Sequence, residues 1–131
     1  MTLADTSFVV DLLRGRSQAI DRLGELLVGG LPLYVSTITL MEIERGLIHH
    51  KLGDDQHRKA VEGLSYFDSV PVNDQIARLA GRIQAKLAKE GQSLPTEDCL
   101  IAATSQQMVE TLLTADRHFE RIPDLVLEFH R

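Results

Sequence analysis

Leu33-Tyr34-Val35-Ser36-Thr37-Ile38-Thr39-Leu40-Met41-Glu42 is the stretch whose reading decides the fold. Its first four residues are β-prone and too few for an independent helix, and Ser36 and Thr37 follow as candidate helix caps. A buried strand therefore runs straight into a helix. The same alternation extends outward. Leu3-Ala4, Ser69-Val70-Pro71-Val72 and Thr111-Leu112-Leu113-Thr114 are further short strands, and Leu125-Val126-Leu127 is a candidate fifth. Between them, Ala19, Ile20, Leu23, Leu26 and Leu27 recur at helical spacing up to Gly29-Gly30. Ile76, Leu79, Ala80, Ile83 and Leu87 do the same up to Gly91. A helix is expected from Asp55 to Tyr66, and another after Pro95, with Thr96 as its cap and Glu97 and Asp98 in its first turn. Short buried strands alternating with helices predict an α/β sandwich around a mainly parallel sheet.

The 131 residues amount to one domain, 1–131, and 44% hydrophobic residues suffice for a core without a covalent staple. The single cysteine, Cys99, has no internal disulfide partner, which fits a reducing compartment. No apolar run approaches the roughly 20 residues that span a bilayer. The start, Met1-Thr2-Leu3-Ala4-Asp5, places a carboxylate where a secretory signal carries basic and apolar residues. A cytoplasmic protein with no membrane partner is expected. The net charge of −5, from 14 Lys and Arg against 19 Asp and Glu, argues against a uniformly basic nucleic-acid-binding surface. A local basic groove stays compatible with that total if acids gather in one site.

In open α/β sheets, sites collect outside the carboxyl ends of the strands. Four acids stand there: Asp5 after the first strand, Glu42 early in the helix after the second, Asp98 at the start of the helix after Pro95, and Asp116 after Thr114. A parallel sheet brings all four to one edge. Like charges raise one another's pKa, and a hard, oxygen-preferring divalent cation such as Mg²⁺ or Mn²⁺ relieves the repulsion. Each acid also has a plainer role. Asp5 can cap the next helix, Glu42 can be a solvated helix acid, and Asp116 can start a turn. Asp98 is the most telling, because it shares a helix face with Ile101, Ala102 and Ser105 rather than with solvated residues.

The acids sit in four motifs. Asp5-Thr6-Ser7 leads into an apolar run ending Asp11-Leu12-Leu13, and Glu42 lies in Ser36-Thr37-Ile38-Thr39-Leu40-Met41-Glu42-Ile43-Glu44-Arg45-Gly46. Asp98-Cys99-Leu100-Ile101-Ala102-Ala103-Thr104 and Leu113-Thr114-Ala115-Asp116-Arg117-His118-Phe119 complete the set. In order and spacing the chain resembles the PIN-domain ribonucleases, most closely the VapC-type toxins of toxin–antitoxin pairs. Cys99 stands where the family usually has a small residue. The resemblance implies a three-layer α/β/α fold, a homodimer, and a Mg²⁺- or Mn²⁺-dependent endoribonuclease inhibited by a cognate antitoxin protein. It further implies that Asp5, Glu42, Asp98 and Asp116 are the catalytic, metal-binding acids of a site that hydrolyses RNA through metal-activated water, with Thr6, Ser7 and Thr114 as polar support. An α/β interaction module that binds metal or a protein without cleaving is the alternative reading. A haloacid-dehalogenase-like phosphatase is disfavoured, because Ser7 stands where its second Asp is needed.

Other residues invite sharper readings than they support. His49, His50, His57, His118 and His130 lack a cysteine partner at zinc-ligand spacing, and Cys99 has no histidine placed to activate it. Tyr66 and Phe67 can stack a base or fill core. Arg14, Arg16, Arg45, Arg117 and Arg121 lie near the motifs and can guide an RNA backbone, or, for Arg14 and Arg16, meet an antitoxin's acidic or C-terminal segment. If Leu47, Ile48 and the Ile76–Leu87 stripe stay uncovered by the protomer, a two-fold dimer through these helices follows, with Arg45, Arg78, Arg82 and Lys86 lining a shared groove.

Overall fold

The computed structural model describes residues 1–108 and 110–131. Five strands, β1 (Thr2–Ala4), β2 (Leu33–Ser36), β3 (Asp68–Val70), β4 (Thr111–Thr114) and β5 (Leu127–Phe129), form one sheet in the order β3-β2-β1-β4-β5. Every pairing is parallel, with Ala4 beside Val35 on one side and Leu113 on the other. Among the described residues six helices connect the strands: α1 (Thr6–Leu13), α2 (Ser17–Gly29), α3 (Thr37–His49), α4 (Asp54–Leu64), α5 (Asp74–Lys89) and α6 (Thr96–Met108). A 3-10 turn over Arg117–Arg121 joins β4 to β5.

Both faces of the sheet are covered, because adjacent strand residues point to opposite sides. Leu3 and Leu112 meet Ile76, Ala80, Leu87 and Ile101 of α5 and α6. Their neighbours Ala4 and Leu113 meet Phe8, Val9, Leu23, Ile43 and Ala60 from the other four helices. The expected α/β/α layering is therefore present, with a sheet that is parallel throughout.

Local chemistry sets the boundaries. Ser36 caps α3 by accepting the Ile38 N–H at 3.1 Å. Gly30 closes α2 with a left-handed φ of 69°, a conformation that costs a side-chain-bearing residue more. Three expected boundaries move. β3 ends at Val70, since Pro71 has no N–H for the ladder. β5 starts at Leu127, although the Val126 carbonyl still accepts the Leu112 N–H. Pro95, rather than Thr96, takes the capping position of α6, with its carbonyl receiving the Cys99 N–H.

The chain lays down β1, β2 and β3 in one direction, then returns to the other side of β1 for β4 and β5. The reversal falls between β1 and β4, and in such sheets ligands bind outside the carboxyl ends of the strands at that point.

Candidate active site

Asp5 stands directly at that reversal, just after β1. It is 3% exposed and caps α1 through one oxygen while the other faces β4. Oδ1 accepts the Phe8 N–H at 3.0 Å and the Ser7 hydroxyl at 2.7 Å. Oδ2 accepts the buried Thr114 hydroxyl at 2.6 Å. Ser7 Oγ accepts the Ala115 N–H at 2.9 Å, and Thr114 Oγ1 accepts the Asp116 N–H at 2.9 Å. These bonds tie the end of β1 to the end of β4. Burial pushes the Asp5 carboxyl up, the three hydrogen bonds pull against that, and Asp116 adds repulsion.

Glu42 comes from the second turn of α3. Its Oε1 accepts the Thr6 hydroxyl at 2.7 Å, and Thr39 lies 3.1 Å from the same hydroxyl. Arg45, one turn on, is 3.6 Å from Glu42 Oε2 and 3.6 Å from Glu97 Oε1. Asp116 Oδ1 caps the following turn, accepting the His118 N–H at 2.9 Å.

Asp98 reveals how the four acids stand to one another. Its carboxyl is pushed up to about 6, first by burial and then by the charges of Asp116, Glu42, Asp5 and Glu97. All the acids singled out from the sequence thus share one electrostatic environment at one sheet edge. They do not close around a point: among the described residues, no three Asp, Glu, His or Cys side chains are grouped to hold a metal ion. Asp5, Glu42 and Asp116 are instead engaged by protein donors. The donor chemistry nevertheless fits a hard divalent cation, since the edge offers carboxylate and hydroxyl oxygens in mutual repulsion. Cys99 is buried with its thiol pushed up, first by burial and then by Asp98, so it supplies no thiolate.

A profile of the PIN domain family matches residues 2–125. The chain belongs to the PIN domain family. Ribonuclease VapC19 of Mycobacterium tuberculosis is 33% identical over 129 residues, covering 95% of this chain and 97% of its own. The tRNA(fMet)-specific endonuclease VapC of Salmonella typhimurium is 32% identical over 96 residues, 72% of each chain. In three dimensions the PIN domain matches a crystal structure of VapBC2 from Rickettsia felis bound to a DNA fragment from its promoter. That match has a TM-score of 0.88 and 25% identity over 98% of both chains.

Thr39, Glu97 and Asp11 of this PIN domain escaped the sequence reading. Thr39 sits at the Thr6–Glu42 contact and Glu97 adds to the charge on Asp98. Asp11 is 2% exposed on the inner face of α1, and its signal was a lone charge in the apolar run Val9-Val10-Asp11-Leu12-Leu13. Of the expected arginines, Arg121 ties down a loop by donating to the Ser93 carbonyl at 2.9 Å, whereas Arg14 lines a groove of about 190 Å³ beside Glu42. Phe67 is core, edge-on to Phe8 at 6.4 Å, and Tyr66 is half exposed. No described helix is long and apolar enough to cross a membrane.

Proposed function

We propose that this chain is a metal-dependent endoribonuclease that acts as the toxin of a toxin–antitoxin pair. Membership of the PIN domain family and the ribonuclease names of its relatives support the activity. The observation that carries it to particular residues is the Asp98 carboxyl, pushed to about 6 beside Asp5, Glu42 and Asp116 at the reversal point of the sheet. These four would hold Mg²⁺ or Mn²⁺. A bound ion of this kind supplies charge neutralisation, a lowered pKa for attacking water and a counter-charge for the leaving oxygen. The protein's own groups fix the acids. Thr114 and Ser7 orient Asp5, and Thr6 orients Glu42, so the carboxylates are partly organised before an ion arrives. Arg45 balances Glu42 and Glu97 meanwhile.

The proposed partners are RNA as substrate, a cognate antitoxin and a second copy of the chain. The relatives solved as VapBC complexes support the antitoxin. The groove between α1, α3 and α4 is its proposed seat: Val10, Leu13, Ile43 and Leu47 give it apolar walls, and Glu42 opens it to the acids. An occupant of that groove reaches the site and blocks it.

The non-catalytic module remains the second reading, favoured by the protein bonds already engaging three of the acids. Incubation of the purified chain with total RNA in Mg²⁺ or Mn²⁺, with and without EDTA, separates the two. Cleavage abolished by EDTA is expected. Intact RNA under both ions overturns the nuclease reading.

A further inference from the structure

Asp11 sits at the centre of a cluster that the proposed chemistry does not use. It is buried near the end of α1, on the opposite end of that helix from Asp5. Arg16 Nε approaches its Oδ1 at 3.1 Å, while His130 Nε2 and Arg131 Nε reach its Oδ2 at 2.8 Å and 2.5 Å. Burial alone raises a carboxyl, but here the hydrogen bonds from Arg131 and His130 outweigh it and hold Asp11 below its usual value. The His130 N–H donates to the Thr114 carbonyl at 3.2 Å, and its ring lies edge-on to Phe8 at 4.9 Å. Thr114 is the residue whose hydroxyl holds Asp5. The segment after β5 is therefore anchored to the same sheet edge as the acids.

Arg117 joins this cluster from the other side. It directly follows Asp116, lies over the Phe129 ring at 3.7 Å, and donates Nη2 to the main-chain oxygen of Arg131 at 3.1 Å. Arg16 and Arg131 thus share the Asp11 carboxylate, and Arg117 gathers beside them on the Arg131 main-chain oxygen, in a chain whose total is −5. Their forks are only partly spent. Among the described residues, both Nη atoms of Arg16, Nε and Nη1 of Arg117, and Nη1 of Arg131 make no protein bond, and all three side chains are exposed to water.

We infer that Arg16, Arg117 and Arg131 form a clamp for backbone phosphates of the RNA strand, one step along from the acids. The inference rests on the reading of RNA as substrate. Guanidinium forks with free N–H groups match phosphate oxygens, and Asp11 and Phe129 hold all three in place, which lowers the entropy cost of engaging a flexible strand. An acidic pocket repels a polyanion, so a strand entering it needs cations beside the entrance. Arg117, one residue from Asp116, stands there.

The test uses the full chain in EDTA, with a labelled single-stranded RNA followed by anisotropy across a salt series. Arg117→Gln and Arg16→Gln are each expected to weaken binding and to reduce the slope of log K against log salt by about 0.7, the value for one contact to a single strand. Arg58→Gln, on the exposed face of α4 and among the described residues paired only with Asp55, serves as the control and should match the wild type. With Mn²⁺ present, the two cluster variants should raise KM while leaving kcat near its original value. Thermal melts confirm that the variants remain folded. Unchanged slopes in both variants, or a wild type that binds no RNA, overturn the clamp. Loss of affinity for the cognate antitoxin with RNA binding intact also overturns it and assigns the cluster to that protein. Cleavage by the wild type with unchanged slopes in the variants defeats the clamp alone. Altered slopes without any metal-dependent cleavage defeat the nuclease reading alone.

Discussion

Asp98 carries a carboxyl that burial and neighbouring acids push from an ordinary 3.8 up to about 6. Between those values the folded chain keeps a proton that the unfolded chain has released. Stability therefore falls as pH rises through that window and stays lower above it. At full strength the displacement is worth about 3 kcal/mol, and partial exposure to water cuts it to about 1–1.5 kcal/mol. Asp98→Asn in EDTA should gain that amount in urea unfolding at neutral pH, and almost none near pH 3, below the ordinary value. The same variant should lose more than about 100-fold in RNA cleavage, since disturbing even a ligand's outer partner reaches that scale. Thr114→Val tests the opposite kind of group. Its hydroxyl is one of the bonds compensating the buried Asp5 carboxylate, so its removal should cost about 1–3 kcal/mol in denaturant unfolding. Asp98 was legible in the sequence because a carboxylate on an apolar helix stripe is out of place. Thr39 was not, because a threonine in a helix gives no sign of which hydroxyl it will meet.

The elements are held by caps that can be removed one at a time. Asn73 Oδ1 accepts the Ile76 N–H at 2.9 Å and so starts α5, the helix whose inner face buries Ile76, Ala80 and Leu87. Asn73→Ala should lower stability by about 1 kcal/mol, seen as a lower urea midpoint with RNA cleavage unchanged. The helices were legible from apolar spacing and from the glycines that end them, and the strands from their shortness. Edges were less so. β5 begins two residues later than its apolar run suggests, because pairing with β4 rather than local hydrophobicity decides where a parallel edge strand forms. The anticipated surface stripe on α5 also resolves at this scale. Ile76 and Leu87 are buried, and Leu79 and Ile83 pack against the same cluster, so this apolar surface serves the protomer's own core.

At the scale of the whole molecule, the apolar residues left exposed on the helices expected to pair are Met41 and Ile48 of α3, with Leu47 now buried. The proposed two-fold dimer accordingly draws on α3, where positions 41, 45 and 48 share a face. Light scattering at micromolar concentration should return twice the 14.6 kDa of the chain, and Ile48→Glu should return the single mass. A single mass for the unsubstituted chain ends the dimer proposal. Alternation of short apolar runs with capped helices determined the α/β class from sequence alone, because burial periodicity and capping are local properties of the chain. The four acids could be named for the same reason: each follows a strand or opens a helix. Tertiary structure alone decided that the sheet reverses between β1 and β4, which places Asp5, Glu42, Asp98 and Asp116 in one electrostatic environment. It alone joined Asp11 to Arg131, 120 residues apart. Such contacts depend on how distant segments are stacked, and no periodicity within a segment encodes the distance between two of them.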